Sequence, residues 1–215
     1  MFLHSKVFKE QIWAFFCDDL ETCLSICKLK QDYNIFKGGL NFTACLVIFS
    51  VIELCAGYYI GKDSDPDKVS DFLVKYFSRY FSKFNDKNFA KSFYSVFRNG
   101  LSHQWSPKAS AIDMNFSDNY FIKTIPNNNR EIPSLNVPIF YQFTKKALKD
   151  YENDLNNNDE LRKLFEKRYN EIINIDNTQM EILKKQINNS TSTSTSSSVS
   201  STSTTTTTLP PKRCH

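Results

Sequence analysis

Apolar side chains return every three or four residues across the first hundred positions of this chain, and a segment with that period buries them together only as a helix. Phe8, Ile12, Phe15, Phe16, Leu20, Cys23, Leu24 and Cys27 carry the pattern from about residue 4 to about residue 30. Residues 31–39 interrupt it. Asn41 then stands where a cap is needed, ahead of an apolar helix expected to reach about Ile60 and to stop at Gly61. Asp63-Ser64-Asp65-Pro66-Asp67 has the chemistry of a helix start, with proline in a first-turn position and carboxylates at the positive end. A third helix is expected to carry Phe72, Val74, Tyr76, Phe77, Tyr80 and Phe81. After Asn85-Asp86 a fourth aligns Phe89, Phe93, Val96, Phe97 and Leu101, and Pro107 ends it because the residue before a proline avoids helical dihedrals.

The period then changes. Ile112, Met114 and Phe116 alternate with polar residues, and the segment from Tyr120 to Ile125 is expected to pair with them as a small hairpin across Ser117-Asp118-Asn119, with Asn127-Asn128-Asn129 as its far turn. Pro138 opens a helix through about Leu155, and Asp159 caps a charged one that reaches about Asn174 and extends toward Ile187. From Ser190 to Thr208 the chain is nearly all serine and threonine, which cannot bury apolar surface, so this part is expected to stay disordered. The reading is a mainly α fold: a helical domain over 1–187, with core 1–108 and hairpin and closing helices 109–187, then a low-complexity tail over 188–215. Nineteen Phe and ten Tyr against five Gly favour such long packed elements over a loop-rich β architecture.

Five of the six cysteines, Cys17, Cys23, Cys27, Cys45 and Cys55, fall inside apolar helical patterns, where free buried thiols are expected rather than a disulfide framework. Cys23 and Cys27 have no histidine or second cysteine pair at zinc spacing nearby, so neither a metal nor another cofactor is expected. The first residues, MFLHSKVFKEQIW, place charges where a signal peptide needs an apolar run, and the expected location is cytoplasmic. The segment 42–60 is long enough to span a bilayer, but Glu53 near its middle would cost about 2.5–3.5 kcal/mol there. A central helix buried in a bundle, with no membrane, is the expectation. A net charge of +4 permits contact with a polyanion without indicating one.

Chemistry concentrates at the end of the fourth helix, in Phe97-Arg98-Asn99-Gly100-Leu101-Ser102-His103-Gln104-Trp105-Ser106-Pro107-Lys108. At 100° per residue Asn99 and His103 lie one above the other, with Arg98 about 140° from His103 around the axis. Imidazole titrates near neutrality and suits proton transfer, while the guanidinium fork matches two phosphate oxygens. His4, in a first turn expected to fray, and His215, in the tail, are not catalytic candidates. Glu53, a carboxylate in an apolar helix, needs a partner, and Arg98 is the one expected.

An arginine followed by a polar residue and, five positions on from the arginine, a histidine at a helix C-terminus resembles the R-x4-6-H motif of HEPN domains. Gly38-Gly39-Leu40-Asn41 leading into a long apolar helix with Glu53, then an aromatic-rich helix, then the Arg98–His103 segment with Pro107-Lys108 behind it, is similar to a bacterial HEPN-like group of uncharacterised proteins. The resemblance covers roughly residues 1–108. It implies a metal-independent endoribonuclease, a toxin or defence effector, with Arg98, Asn99 and His103 catalytic and Glu53 supporting. It also implies a homodimer whose motif helices meet at a cleft, RNA as partner, and a protein inhibitor as a further possible one. Close approach of a second backbone gives a reason for Gly100 inside a helix. Gln104, Trp105 and Lys108 follow on the same segment as substrate contacts, although Trp105, like Tyr94, also fits core or interface packing. Lys108, Lys123, Arg130, Lys145, Lys146 and Lys149 make either a basic rim for RNA or ordinary solvated charge. Two other readings stay open: a catalytically inactive HEPN-like module for dimerisation or for RNA or protein binding, and a membrane-anchored regulator using residues 42–60.

Overall fold

Why the first segment folds as it does is visible in its spacing. Phe8, Ile12, Phe16, Leu20 and Leu24 are all buried and recur at intervals of four. On an α-helix such a stripe drifts about 40° at each step, and widening the turn reduces the drift. The computed structural model describes residues 2–33, 40–99, 101 and 110–192. In it α1 (Leu3–Val7) passes directly into a π-helical stretch, Phe8–Cys17, and then into α2 (Asp18–Asp32). The wider winding turns Phe15 out to solvent, 66% exposed, and brings Phe16 and Cys17 inward. The expected inward Phe15 is thereby corrected. His4 is corrected too: it is buried, with Nε2 at 3.0 Å from Asn156 Oδ1, so the first turn is pinned rather than frayed.

α3 (Asn41–Ile60) is long and apolar enough to cross a membrane by length and composition. In this fold it is the helix on which the others pack, with Cys45, Ile48, Phe49, Ile52 and Cys55 fully or almost fully buried. It ends at Gly61 in the left-handed conformation (φ 69°), where a Cβ would stand 2.8 Å from Leu164 Cδ2. Its start differs from expectation. Asn41 does not cap it but is its first residue, and its Nδ2 donates to the Ile112 carbonyl (3.0 Å).

α4 (Pro66–Phe77) begins as its sequence indicates, with the Asp65 carboxylate accepting from Lys68 N (2.9 Å) and Pro66 in the first turn. It stops at Phe77, so Tyr80 and Phe81 belong to the turn beyond it rather than to the expected helix. A short 3-10 turn, Ser82–Asn85, inserts Phe84 into the core, and Asp86 then caps α5 (Lys87–Tyr94) by accepting from Asn88 N (2.8 Å). α5 continues into a second π-helical stretch, Ser95–Asn99.

The sheet is arranged differently from the expected hairpin. β1 (Ala111–Asp113) runs parallel to β3 (Arg130–Asn136), and β3 pairs antiparallel with β2 (Ile122–Asn127), giving the order β1-β3-β2. The hairpin turn is Asn128-Asn129, both at positive φ (45° and 65°), a conformation asparagine tolerates and a two-residue hairpin requires. The segment 117–119 cannot serve as the turn because the Asn115 side chain holds it differently, accepting from Ser117 N (2.8 Å) and Asp118 N (2.9 Å). Pro126 and Pro133 face Glu131 and Thr124 at alternate pairs, the positions in an antiparallel ladder that exchange no hydrogen bonds.

α6 (Val137–Asn157) starts with Pro138 in its first turn. α7 (Asp159–Ser192) is capped by Asn158, whose Oδ1 accepts from Leu161 N (3.1 Å), one residue before the expected Asp159. Phe49 of α3, Phe93 of α5, Phe140 of α6 and Phe121 meet with centroid separations of 5.0–5.9 Å, and Phe8, Phe72, Tyr76 and Tyr151 form a second aromatic group. Cys17, Cys23, Cys27, Cys45 and Cys55 are free thiols, and burial pushes Cys45 and Cys55 far above the ordinary thiol range. The fold is mainly α with a three-stranded sheet. By internal contacts the chain divides into Met1–Ile172 and Ile173–His215, and the described part of the second unit is the distal half of α7.

Candidate functional site

Two helices supply the site through side chains one turn apart on each. Phe49 and Glu53 lie on the same side of α3; Tyr94 ends α5, and Arg98 lies four residues on in the π-helical stretch. The Tyr94 ring stands edge-on to Phe49 with centroids 6.0 Å apart, which sets its hydroxyl beside Glu53. That hydroxyl donates to Glu53 Oε1 at 2.8 Å. Arg98 meets the same carboxylate with two donors, Nε to Oε1 at 2.5 Å and Nη2 to Oε2 at 3.0 Å, and its guanidinium carbon lies 5.9 Å from the Tyr94 ring centroid. The side chains of Arg98 and Glu53 are 29% and 22% exposed, so water reaches the pair without surrounding it.

The expected Glu53–Arg98 partnership is therefore present, and it has a third member that the sequence reading treated only as a stacking or packing residue. The signal for Tyr94 was its spacing of four from Arg98. Hydrogen bonding to Glu53 raises the Arg98 pKa and keeps the guanidinium charged, and burial together with the Glu53 carboxylate pushes the Tyr94 hydroxyl well above its usual range. The arrangement presents a cation held in fixed orientation at a partly open surface. Its described members, Glu53, Tyr94 and Arg98, include no imidazole.

Asn99 closes the π-helical stretch and is half-buried. Over Ser95–Asn99 the backbone is π-helical, each carbonyl bonding to the fifth residue on with less turn per residue, while the turn expected to stack Asn99 under His103 lies outside the described residues. Leu101, 1% exposed, anchors the chain just beyond. His103, Gln104, Trp105 and Lys108 lie outside the described residues, as does Gly100.

The basic residues divide among local partners. Lys145 pairs with Glu21 (2.6 Å), Lys149 with Glu152 (2.8 Å), and Lys123 lies 3.6 Å from Asp118 and over the Tyr120 ring. Lys146 lies over the Tyr80 ring at 5.6 Å, and Arg130 flanks the hairpin turn. Lys145, Lys146 and Lys149 do share a shallow groove of about 520 Å³ with Trp13, which lies off the apolar stripe of the first helical segment and carries no signal of its own in the sequence. Glu21 and Glu152 offset two of those three charges, which is the pattern of solvated helix charge rather than of a strongly basic channel.

No protein-family model, curated protein or solved structure matches the chain.

Proposed function

We propose that the chain is a metal-independent endoribonuclease of the HEPN type, acting as a homodimer on RNA through Arg98, Asn99 and His103. The observation that carries the reading is the bidentate Glu53–Arg98 pair braced by Tyr94, which fixes a permanent cation on the helix segment leading to His103. In this reaction the RNA 2′-oxygen bonds to phosphorus, the bond from phosphorus to the 5′-oxygen breaks, and one proton moves from the 2′-hydroxyl to the leaving oxygen. His103 handles that proton. Arg98 balances the charge growing on the phosphorane, and a guanidinium already oriented loses little freedom in doing so. Glu53 supports it from behind, while Gln104, Trp105 and Lys108 take the neighbouring nucleotides. Cytoplasmic action as a toxin or defence effector, held in check by a protein inhibitor, fits such an activity.

One observation favours a second reading. The Nε–Nη2 edge of Arg98, the edge that best grips two oxygens, is already on Glu53, so the pair also works as a tie between α3 and the end of α5 in an inactive dimerisation or binding module.

Cleavage assays on structured and single-stranded RNAs with Arg98→Ala and Arg98→Lys separate the two. The nuclease reading expects a loss of about 10²–10³-fold for Arg98→Ala, partial activity for Arg98→Lys, no effect of chelator, and products ending in 2′,3′-cyclic phosphate and 5′-hydroxyl. Wild-type cleavage by Arg98→Ala, or no cleavage by any preparation of folded wild-type protein, overturns it.

A further inference from the structure

Beyond Ile172, α7 continues as a helix for twenty more residues with its large apolar side chains exposed: Ile173 (39%), Met180 (54%), Leu183 (52%) and Ile187 (56%) fall along one stripe, and Ile175 (52%) and Ile182 (44%) on the other side of the helix. A helix of this length holds together in water chiefly by packing an apolar face, and the segment's asparagine, threonine and aspartate content gives it little intrinsic propensity. Its proximal end is already nucleated, since Leu161 and Phe165 of the same helix are buried in the core. Among the described residues Ile173, Met180 and Leu183 are left exposed.

The spacing says what kind of cover fits. Ile173, Met180 and Ile187 are seven apart, and Leu183 lies three beyond Met180, so these residues occupy the a and d positions of a heptad seam about 21 Å long. The remaining d position holds Asp176. Two such helices side by side in parallel would set one Asp176 carboxylate against the other inside the seam, an unfavourable like-charge contact. Run antiparallel, with Met180 of one opposite Leu183 of the other, they place each Asp176 opposite Ile187 and within a turn of Lys184 on the second copy. Lys184 lies beside the seam, 2.8 Å from Glu181 of its own helix, and a lysine stem is long enough to reach both carboxylates.

We infer that residues 173–187 of α7 pair with the same residues of a second copy as an antiparallel two-stranded coiled coil centred between Met180 and Leu183. The pairing is isologous: the same patch serves both copies, and Asp176–Lys184 contacts form twice. It does not depend on the ribonuclease reading, and its test uses no RNA.

Full-length Met180→Cys, Leu183→Cys and Ile173→Cys proteins, each in a Cys214→Ser background, are treated with a short bismaleimide at micromolar protein concentration beside the background protein. Antiparallel pairing expects a crosslinked dimer for Met180→Cys and Leu183→Cys and none for Ile173→Cys, whose two copies would lie about 25 Å apart along the seam. Crosslinking at Ile173 as efficient as at Met180 overturns the antiparallel arrangement, and background-level crosslinking at both Met180 and Leu183 overturns the coil.

Discussion

Glu53 receives three hydrogen bonds from two side chains, and that concentration of donors on one carboxyl group explains how it sits in the most apolar of the described helices. Glu53→Gln keeps the shape but removes the charge and turns one acceptor into a donor facing Arg98. A partly buried charged hydrogen bond of this kind is worth about 1–3 kcal/mol, and Tyr94→Phe, which removes a single bond, about 0.5–1.5 kcal/mol. In thermal melts each kcal/mol lowers the midpoint by about 2–4 °C for a chain of this size. The expected order is wild type, then Tyr94→Phe, then Glu53→Gln; a Glu53→Gln protein as stable as wild type would mean that water satisfies the pair and that the bracing account of Arg98 is wrong. The Glu53–Arg98 contact was legible in the sequence because a carboxylate in an apolar stretch demands a cation, and Arg98 is the only arginine before residue 130 besides Arg79. Tyr94 was not, since an aromatic residue at helical spacing signals packing before it signals a hydrogen bond.

Among the elements, those whose boundaries rest on local chemistry were readable. Asp65-Pro66, Asp86 and Gly61 delimit helices where their side chains or their conformational freedom require it. Elements set by long-range pairing were not. Nothing in the alternation of Ile112, Met114 and Phe116 tells a parallel partner from an antiparallel one, and β1 found β3, twenty-three residues on in register. The Asn128-Asn129 turn carries its own test. Alanine at either position must hold a left-handed conformation and is expected to cost about 1–2 kcal/mol, whereas glycine at either is expected to be neutral or stabilising. Equal melting temperatures for the alanine and glycine variants would show that the turn is not under that constraint. The π-helical stretches were likewise hidden, because a period of four reads as a drifting α stripe until the wider winding is seen, and Phe15 is turned outward by it.

For the molecule as a whole, the helical core accounts for the aromatic richness of the sequence, whereas the run from Ser190 to Thr208 holds a single apolar side chain, Val199. Ending the chain before Ser190 is therefore expected to leave the thermal midpoint within about 2 °C of wild type, and a larger fall would mean that this end is part of the folded structure. The central claim is catalytic, and His103 decides it more directly than Arg98, because Arg98 also ties α3 to α5 and its loss affects stability. The measurement is the rate of RNA cleavage by purified wild-type and His103→Ala proteins in the presence of chelator, with melting curves of both. The account predicts that His103→Ala cuts RNA about 10²–10⁴-fold more slowly with a melting curve close to wild type. Cleavage by His103→Ala at the wild-type rate contradicts it.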